Sequence, residues 1–336
     1  MASRKRASKK KSAKRKNKKK KPLGKGARVF LVLLAMAFLA IFLVVGGSAL
    51  NKALTLAKVV MVQTDWSVGG SGAGPGQFKE PWDAAVDSKG DLFATDFGGH
   101  RVQEFSPQGQ LLLTFGKEGK DPGDFEQPSG IFIDAADNIF ICDTFNHRIE
   151  KFNPQGKLIK FWANSFYGPK GIGGDGHSRL YIADTGNHKI QVFDEDGNFL
   201  TQFGSYGPDP GKFREPVGVT VDPQGFVYVA DTDNLRVQKF DPNGKAVGSI
   251  KILTWKGKSA ETPYLAFGSG SLWVANTSEN SVLQYSPTGK LIAIFKDKNG
   301  GFTDAAGVAL NAEGEVYVTE RGPGKIVRFM PPPKAH

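Results

Sequence analysis

From residue 58 to the end of the chain, apolar residues occur in short runs separated by polar turns. Runs such as LFATD, IFICD and VYVAD are rich in β-branched and aromatic residues, and clusters of Gly, Pro, Asn and Asp bound them. This pattern is typical of short β-strands joined by tight turns. Because similar runs recur at nearly regular intervals, the pattern predicts an all-β repeat protein.

Three columns of residues define the repeat. An acidic or amide residue ends the second strand of each copy, a mostly basic column follows five residues later, and an aromatic column nine residues later. The first column is Asp96, Asp143, Asp184, Asp231, Asn276 and Glu320. The second is Arg101, Arg148, Lys189, Arg236, Ser281 and Lys325, and the third is Phe105, Phe152, Phe193, Phe240, Tyr285 and Phe329.

Copies 1 to 5 each have a further turn after the aromatic column, with the sequences SPQG, NPQG, DEDG, DPNG and SPTG. Four strands in a period of roughly 40–50 residues predict a six-bladed β-propeller. The last copy ends soon after Phe329 without a fourth strand, whereas an unassigned strand, Lys58–Ser67, precedes the first copy. We therefore predict that this N-terminal strand completes the final blade and closes the ring, which removes the open sheet edges.

The segments PGDFEQPSGIFIDAADNIFICDTFNHRIEKFNPQGKL and PGKFREPVGVTVDPQGFVYVADTDNLRVQKFDPNGK resemble NHL repeats. The resemblance extends over about residues 58–330 and is weaker in copies 5 and 6. Copy 5 has Asn276 and Ser281 in place of the acid and the base, and in copy 6 Glu320 is followed by RGPGK. It implies a six-bladed propeller in which the innermost strands surround a central channel. It does not imply one function, because propellers carry many functions.

The first 50 residues predict a membrane anchor. Residues 1–28 contain fifteen Lys or Arg and no acid, and residues 29–50 contain no charge. A transmembrane helix needs about 20 apolar residues, and cations flanking it stay in the cytoplasm. We therefore predict a disordered cytoplasmic tail (1–28), a transmembrane helix (29–50), a tether (51–57), an extracytoplasmic propeller (58–331) and a short C-terminal tail (332–336), in a single-pass protein of the cell membrane.

Two alternatives concern the N-terminal region. The apolar segment could be a signal peptide cleaved at Gly46-Gly47-Ser48-Ala49 or in the stretch Ala53–Ala57, although its apolar core is longer than is usual for one. The basic tail could bind anionic lipid headgroups or, without sequence specificity, nucleic acid, besides setting the topology. Outside the tail, 29 basic residues (44 − 15) face 33 acidic ones, so the propeller is not a basic nucleic-acid-binding domain.

The repeated acidic and basic columns favour a structural role, because catalysis needs asymmetry. His100, His147 and His188 share one column four residues after the acid, which raises the hypothesis of a metal site. They belong to separate copies, so we interpret them as turn residues and predict no metal and no cofactor. Cys142, the single cysteine, takes the place of alanine in other copies and is predicted to be a small buried residue and not a nucleophile.

One column varies completely, next to the proline or similar residue that opens each first strand: Trp82, Ser129, Lys170, Val217, Tyr264 and Ala306. At the channel mouth these residues could form a pocket for a small organic or anionic ligand, or they could be variable loop positions. In the related peptide-amidating lyase, zinc-binding histidines occur at this place, and none of the six residues here is histidine. A RING zinc domain, found in other members of the family, needs several cysteines, and this chain has one.

The sequence therefore predicts a binding or scaffold protein that recognises a protein, peptide or glycan at one face of the propeller. A hydrolase or lyase acting in the channel is the alternative, although no catalytic constellation can be assembled from the sequence. Nucleic-acid binding through the basic tail is a second alternative.

Overall fold

The computed structural model describes residues 58–256 and 263–333. In these residues six antiparallel sheets are arranged around an axis, and the innermost strand of each sheet contacts the innermost strands of both neighbours. The predicted six-bladed β-propeller is confirmed. The strand bounds agree with the repeat columns, because the acidic or amide column ends the second strand of every blade and the aromatic column ends the third strand of every blade except blade 3, where the third strand continues to Asp194.

The first two strands of the described residues are β1 (Lys58–Val62) and β2 (Trp66–Gly69). Blade 1 consists of β3 (Pro81–Val86), β4 (Leu92–Asp96), β5 (Arg101–Phe105) and β6 (Leu111–Phe115), and blade 2 of β7 (Pro128–Ile133), β8 (Ile139–Asp143), β9 (Arg148–Phe152) and β10 (Leu158–Trp162). Blade 3 consists of β11 (Pro169–Gly174), β12 (Arg179–Asp184), β13 (Lys189–Asp194) and β14 (Phe199–Phe203).

The strands of the second half are, in blade 4, β15 (Pro216–Val221), β16 (Val227–Asp231), β17 (Arg236–Phe240) and β18 (Ala246–Lys251); in blade 5, β19 (Leu265–Gly268), β20 (Ser271–Asn276), β21 (Ser281–Tyr285) and β22 (Leu291–Asp297); and in blade 6, β23 (Ala305–Leu310), β24 (Val316–Glu320) and β25 (Lys325–Phe329). Within blades 1 to 5 the strands run from the axis outwards in sequence order.

The N-terminal segment closes the ring, but not as one strand. β2 pairs antiparallel with β25 and supplies the missing fourth strand of blade 6. β1 instead pairs in parallel with β22 and forms a fifth strand on the outer edge of blade 5. The prediction of a closing strand over Lys58–Ser67 was therefore right about closure and wrong about extent, because three residues outside both strands separate the two pairings.

Helical structure in the described ranges consists of three single 3-10 turns: Thr185–Asn187, Thr232–Asn234 and Thr277–Glu279. No helix within residues 58–256 and 263–333 is both long and apolar enough to cross a membrane. The predicted basic tail, transmembrane helix and tether all lie outside the described residues, and so do residues 334–336 of the predicted C-terminal tail.

The core lies in layers between neighbouring blades, as expected when sheets pack face to face. In five blades a buried phenylalanine from the loop before the innermost strand packs on the phenylalanine of the aromatic column, always 27 residues later. Ring centroids are 5.5–5.7 Å apart in these pairs, which are Phe78–Phe105, Phe125–Phe152, Phe166–Phe193, Phe213–Phe240 and Phe302–Phe329. Such a pair contributes about 0.5–1.5 kcal/mol beyond the burial of its area.

Two truncations separate the roles of β1 and β2. A chain beginning at residue 63 keeps β2 and should remain a cooperative, monomeric propeller. A chain beginning at residue 70 also loses the buried Val68 and the contact of Trp66 with Tyr317, and it exposes the edge of β25. Since burial of one large apolar side chain contributes about 1.5–3 kcal/mol, we expect the second truncation to lower the free energy of unfolding by about 4 kcal/mol relative to the first.

Urea unfolding and size-exclusion chromatography measure both effects. Equal stability of the two truncated chains would contradict the role of β2 as the closing strand.

Candidate functional site

The acidic column forms a clamp inside each blade. Asp143 is fully buried, and one of its carboxylate oxygens accepts a hydrogen bond from the backbone N–H of Glu126 at 2.7 Å. The donor lies 17 residues upstream, in the loop that leads to the innermost strand. The same spacing recurs in blades 1, 3, 4 and 6, where the donors are the N–H groups of Lys79, Tyr167, Arg214 and Thr303.

The basic column completes this clamp. Arg148 Nε lies 2.9 Å from Asp143 Oδ2 and 2.6 Å from Glu150 Oε1, and the Arg148 side chain is only 8% exposed. Its other nitrogens donate to the backbone carbonyls of Lys120, Asp121 and Asp124. Similar ion pairs join Arg101, Lys189, Arg236 and Lys325 to the acid of their own blade. In blade 5, Asn276 donates to Ser281 instead. The acidic and basic columns therefore form a network of ion pairs and hydrogen bonds with a structural role.

Threonine hydroxyls join neighbouring blades. In blades 2, 3 and 5 the threonine directly after the column residue donates to the first residue of the next innermost strand, as Thr185 does to the Pro216 carbonyl at 2.7 Å. In blades 1 and 6 the threonine instead directly precedes the column residue. Thr95 donates to the Ser129 carbonyl at 2.6 Å and Thr319 to the Trp82 carbonyl at 2.9 Å.

This shift leaves the position after the acid to other side chains in blades 1 and 6, where Phe97 and Arg321 occupy it. The Phe97 ring stacks on Trp82 with centroids 3.7 Å apart, and the Arg321 guanidinium lies 5.9 Å from the Trp82 ring. Arg321 also donates to Asp304 at 2.8 Å. Besides the substitutions in blade 5, the propeller therefore departs from its repeat at the junction of blades 6 and 1, at the face where the innermost strands begin. We call this the start face.

The predicted channel-mouth residues come together around the axis near the start face. Five of them are buried (Trp82, Ser129, Val217, Tyr264 and Ala306), and Lys170 is half-buried. Trp82, Phe97, Val217 and Tyr264 form one apolar cluster.

Polar contacts hold the remaining members of this set. The hydroxyls of Ser129 and Tyr264 donate to the Lys170 carbonyl at 2.9 and 3.3 Å. Lys170 Nζ in turn pairs with Glu215 at 3.0 Å. The side chains of these residues thus occupy much of the mouth themselves, and their role in ligand binding stays a prediction.

A cavity of about 250 Å³ lies beyond this cluster, lined by residues of all six innermost strands. Its lining extends to the last residues of these strands, such as Val86, Val221 and Leu310, which are partly exposed. Each innermost strand pairs with its own blade on one side only, so its second edge can present backbone N–H and C=O groups to the axis. Asp83 and Tyr264 are the lining residues closest to the strand starts.

Asp83 is the feature of this cavity that the sequence interpretation missed. Among the described residues it is the one acidic residue that lines the cavity, and its burial raises the pKa of its carboxyl to about 8. The signal was present in the sequence, because the position after the variable column is glycine in four copies (Gly130, Gly171, Gly218 and Gly307), leucine in one and aspartate in one. A Cβ at Gly171 would lie 2.0 Å from the Val217 carbonyl oxygen, so glycine there permits close approach of neighbouring blades.

The backbone conformation explains the histidine column. His100, His147 and His188 have φ values of 54–56°, and Leu235 and Asn280 share this left-handed conformation at the same place. His147 Nδ1 accepts a hydrogen bond from the Gly168 N–H at 3.0 Å. Among the described residues no group of three or more His, Cys, Asp or Glu could hold a metal ion.

Cys142 is fully buried, and this burial raises the pKa of its thiol well above its usual value. The prediction of a small buried residue is confirmed.

Large aromatic residues are exposed on the start face. Phe145, Tyr167 and Tyr206 are 52%, 62% and 66% exposed, and they lie in turns or loops of blades 2 to 4. His147 stacks on Tyr167 with centroids 5.6 Å apart, and His188 meets Tyr206 at 4.9 Å. These aromatics are therefore held in place although they are exposed.

The fold defines a six-bladed β-propeller whose blades have four strands, with a fifth strand added to blade 5. Comparisons with known proteins indicate the repeat family. The NHL repeat family model matches residues 78–105 and 213–240, which are in blades 1 and 4. Together with the six repeats and the ring of blades, this match identifies the chain as an NHL-repeat β-propeller. The sequence matches none of the curated proteins with which it was compared.

Several solved structures have a similar fold. A catalytically inactive variant of virginiamycin B lyase from Staphylococcus aureus, solved with quinupristin, is 17% identical, with a TM-score of 0.56 over 78% of this chain and 82% of that chain. A streptogramin B lyase is 12% identical, with a TM-score of 0.55 over 79% and 97%. A chain of a nidogen/laminin complex is 20% identical, with a TM-score of 0.56 over 68% and 84%. At these identities the likeness shows the fold alone.

The clamp makes a stability prediction. Asp143→Ala leaves Arg148 buried without one of its two carboxylates and removes the acceptor of the Glu126 N–H. We expect a loss of about 3 kcal/mol in the free energy of unfolding, measured by urea denaturation, because the change breaks one buried ion pair of Arg148 and leaves the Glu126 N–H without its acceptor. Asp143→Asn is the matched control and should cost less, since Asn276 fills this place in blade 5. Equal stability of Asp143→Ala and the unmodified protein would contradict the structural role.

Proposed function

We propose that this protein is a binding propeller that recognises a protein or peptide partner through the start face. The observation that carries the proposal is the group of exposed, fixed aromatic residues on that face, Phe145, Tyr167 and Tyr206. Tyrosine supplies a large amphipathic contact area at low entropic cost, and aromatic residues are enriched in interfaces.

The position of Tyr167 illustrates this preorganisation. Its ring lies over Gly186, where an added Cβ would come within 2.0 Å of the Tyr167 Cδ1 atom. Its backbone N–H donates to Asp184 at 2.8 Å, and its carbonyl accepts from the Gly186 N–H at 2.8 Å. A ring that is held before binding loses little freedom on binding, which favours affinity.

Charged groups surround the aromatic residues without giving the face one sign. Lys170 pairs with Glu215, and Arg321 pairs with Asp304. An interface with an aromatic centre and a mixed polar rim suits a protein or peptide better than a polyanion such as nucleic acid. The similar folds include a chain of a nidogen/laminin complex and a lyase solved with quinupristin, and both support ligand recognition by this architecture. A glycan is the alternative ligand, because aromatic faces also suit sugars.

We further propose that residues 29–50 anchor the protein in the cell membrane as a single span, with the propeller outside the cytoplasm. The support is the 22-residue uncharged segment preceded by fifteen cations. In this arrangement residues 1–28 remain in the cytoplasm, where each cation near an anionic lipid surface contributes about 1 kcal/mol to membrane attachment.

A peptide library and a glycan array are the probes for the ligand class. We expect peptides to be enriched on the purified protein, and the double substitution Tyr167→Ala with Tyr206→Ala to weaken their binding at least tenfold, because aromatic anchors dominate interface energy. The double substitution Leu112→Ala with Phe199→Ala, which removes side chains about half exposed on outermost strands, is the control and should leave binding unchanged. Binding that depends on these outer residues, or that selects only glycans, would contradict the proposal.

Cysteine labelling tests the topology. Cys142 is buried, so it should stay silent toward a membrane-impermeant maleimide, and single exposed cysteines can be introduced elsewhere. We expect Glu313→Cys to be labelled in intact cells and Ser8→Cys only after permeabilisation. The reverse pattern would overturn the orientation, and release of labelled protein lacking residue 8 into the medium would indicate a cleaved signal peptide.

A further inference from the structure

The central cavity contains a carboxylate without a cationic partner. The Asp83 oxygens accept hydrogen bonds from the backbone N–H groups of Ala84 at 3.0 Å and Ile131 at 3.2 Å. None of the ion pairs among residues 58–256 and 263–333 includes Asp83. Each oxygen therefore keeps a lone pair, and ionisation places a bare negative charge in a buried site, which is costly.

The neighbouring titratable groups do not compensate this charge. Cys142 of blade 2 and Tyr264 of blade 5 interact with Asp83, and burial raises the pKa of both groups well above neutrality. Both are thus uncharged when Asp83 ionises. A positive charge that stabilises the ionised Asp83 carboxylate must therefore come from a ligand.

Aromatic residues line the other end of the cavity. Phe132 and Phe267 both contribute to the wall and are partly buried. The tip of the Phe132 ring lies across Gly174, at the end of the innermost strand of blade 3, where an added Cβ would be 2.3 Å from the ring. Phe267 stacks on Tyr228 with centroids 5.7 Å apart. Aromatic faces attract cations as well as apolar groups.

We propose that the central cavity binds a small organic ammonium compound, with the cationic head at Asp83 and the apolar part against the walls formed by Phe132 and Phe267. This ligand site is separate from the start face, because the cavity lies beyond the cluster of Trp82, Phe97, Val217 and Tyr264. It therefore does not rest on partner recognition at that face.

The donor set favours an organic cation over a metal ion. Calcium takes six to eight oxygen ligands and usually several carboxylates, whereas the described lining of this cavity offers one carboxylate, and its other polar surface comes mainly from backbone groups of the innermost strands. The volume of about 250 Å³ lies just below the usual range of roughly 300–1,000 Å³ for ligand pockets, so a compound of a few carbon atoms fits better than a polymer.

Butylammonium chloride is the probe, and n-butanol is its neutral counterpart. Isothermal titration calorimetry on the full-length protein in mild detergent should show one site per chain for butylammonium and none for butanol. Asp83→Gly, which restores the residue found in four other blades, should weaken binding at least tenfold, and Asp83→Asn should do the same. Glu313→Gln removes an exposed charge elsewhere and should leave binding unchanged.

The pH dependence gives a second readout. Because the pKa of Asp83 is raised to about 8, the carboxyl is neutral at pH 6, and butylammonium affinity should increase from pH 6 to pH 9 while the amine, with a pKa of about 10.4 like that of lysine, stays protonated. Without ligand, the free energy of unfolding changes with pH in the opposite direction to the affinity. The folded protein holds this proton more tightly than the unfolded chain, so Asp83 lowers stability as pH rises from about 4 to 8, and Asp83→Gly should remove that decline.

Three results would overturn the proposal. The first is no butylammonium binding between pH 6 and pH 9. The second is equal binding by the unmodified protein and Asp83→Gly. The third is a rise in the melting temperature with calcium chloride but not with butylammonium, which would indicate a metal site.

Discussion

A buried carboxylate at the end of the second strand organises each of five blades. In blade 2, Asp143 receives the N–H of Glu126 from the loop before the innermost strand and pairs with Arg148 at the start of the third strand. One side chain thereby fixes three segments of its blade. Asp143 and the other four acids are fully or almost fully buried. Their charges therefore need partners, because an unpaired charge at such a site would cost several kcal/mol.

This clamp also determines what the start face can do. The loops it ties down carry the exposed Tyr167 and Tyr206, so these aromatic rings are presented by a rigid frame and not by free loops. Tyr167 shows the connection directly, since its own backbone N–H is the donor to Asp184. The recognition proposed for this face thus depends on the same hydrogen bonds as stability, and the repeat can vary its surface residues while its frame is kept.

The frame departs from its repeat mainly at the junction of blades 6 and 1. There the threonines that bond to the next blade, Thr319 and Thr95, occupy an alternative position, and Phe97 and Arg321 replace the usual threonine beside Trp82. The bond between blades is preserved while the side chains at the mouth change. Asp83, one residue after Trp82, replaces a glycine that most blades need for close packing, and it places an ionisable carboxyl in the central cavity.

The sequence by itself determined the six repeats, the residue that ends each second strand and the proximity of an acid and a base five residues apart, because a tight turn brings positions at short spacing together. It also located the variable column at the channel mouth. The tertiary structure alone decided that the N-terminal segment divides between blades 5 and 6, since strand pairing over more than 200 residues leaves no local pattern. It also decided that Trp82 and Tyr264 lie in one apolar cluster and that Asp83 lines a cavity, because ring closure brings together side chains from separate copies.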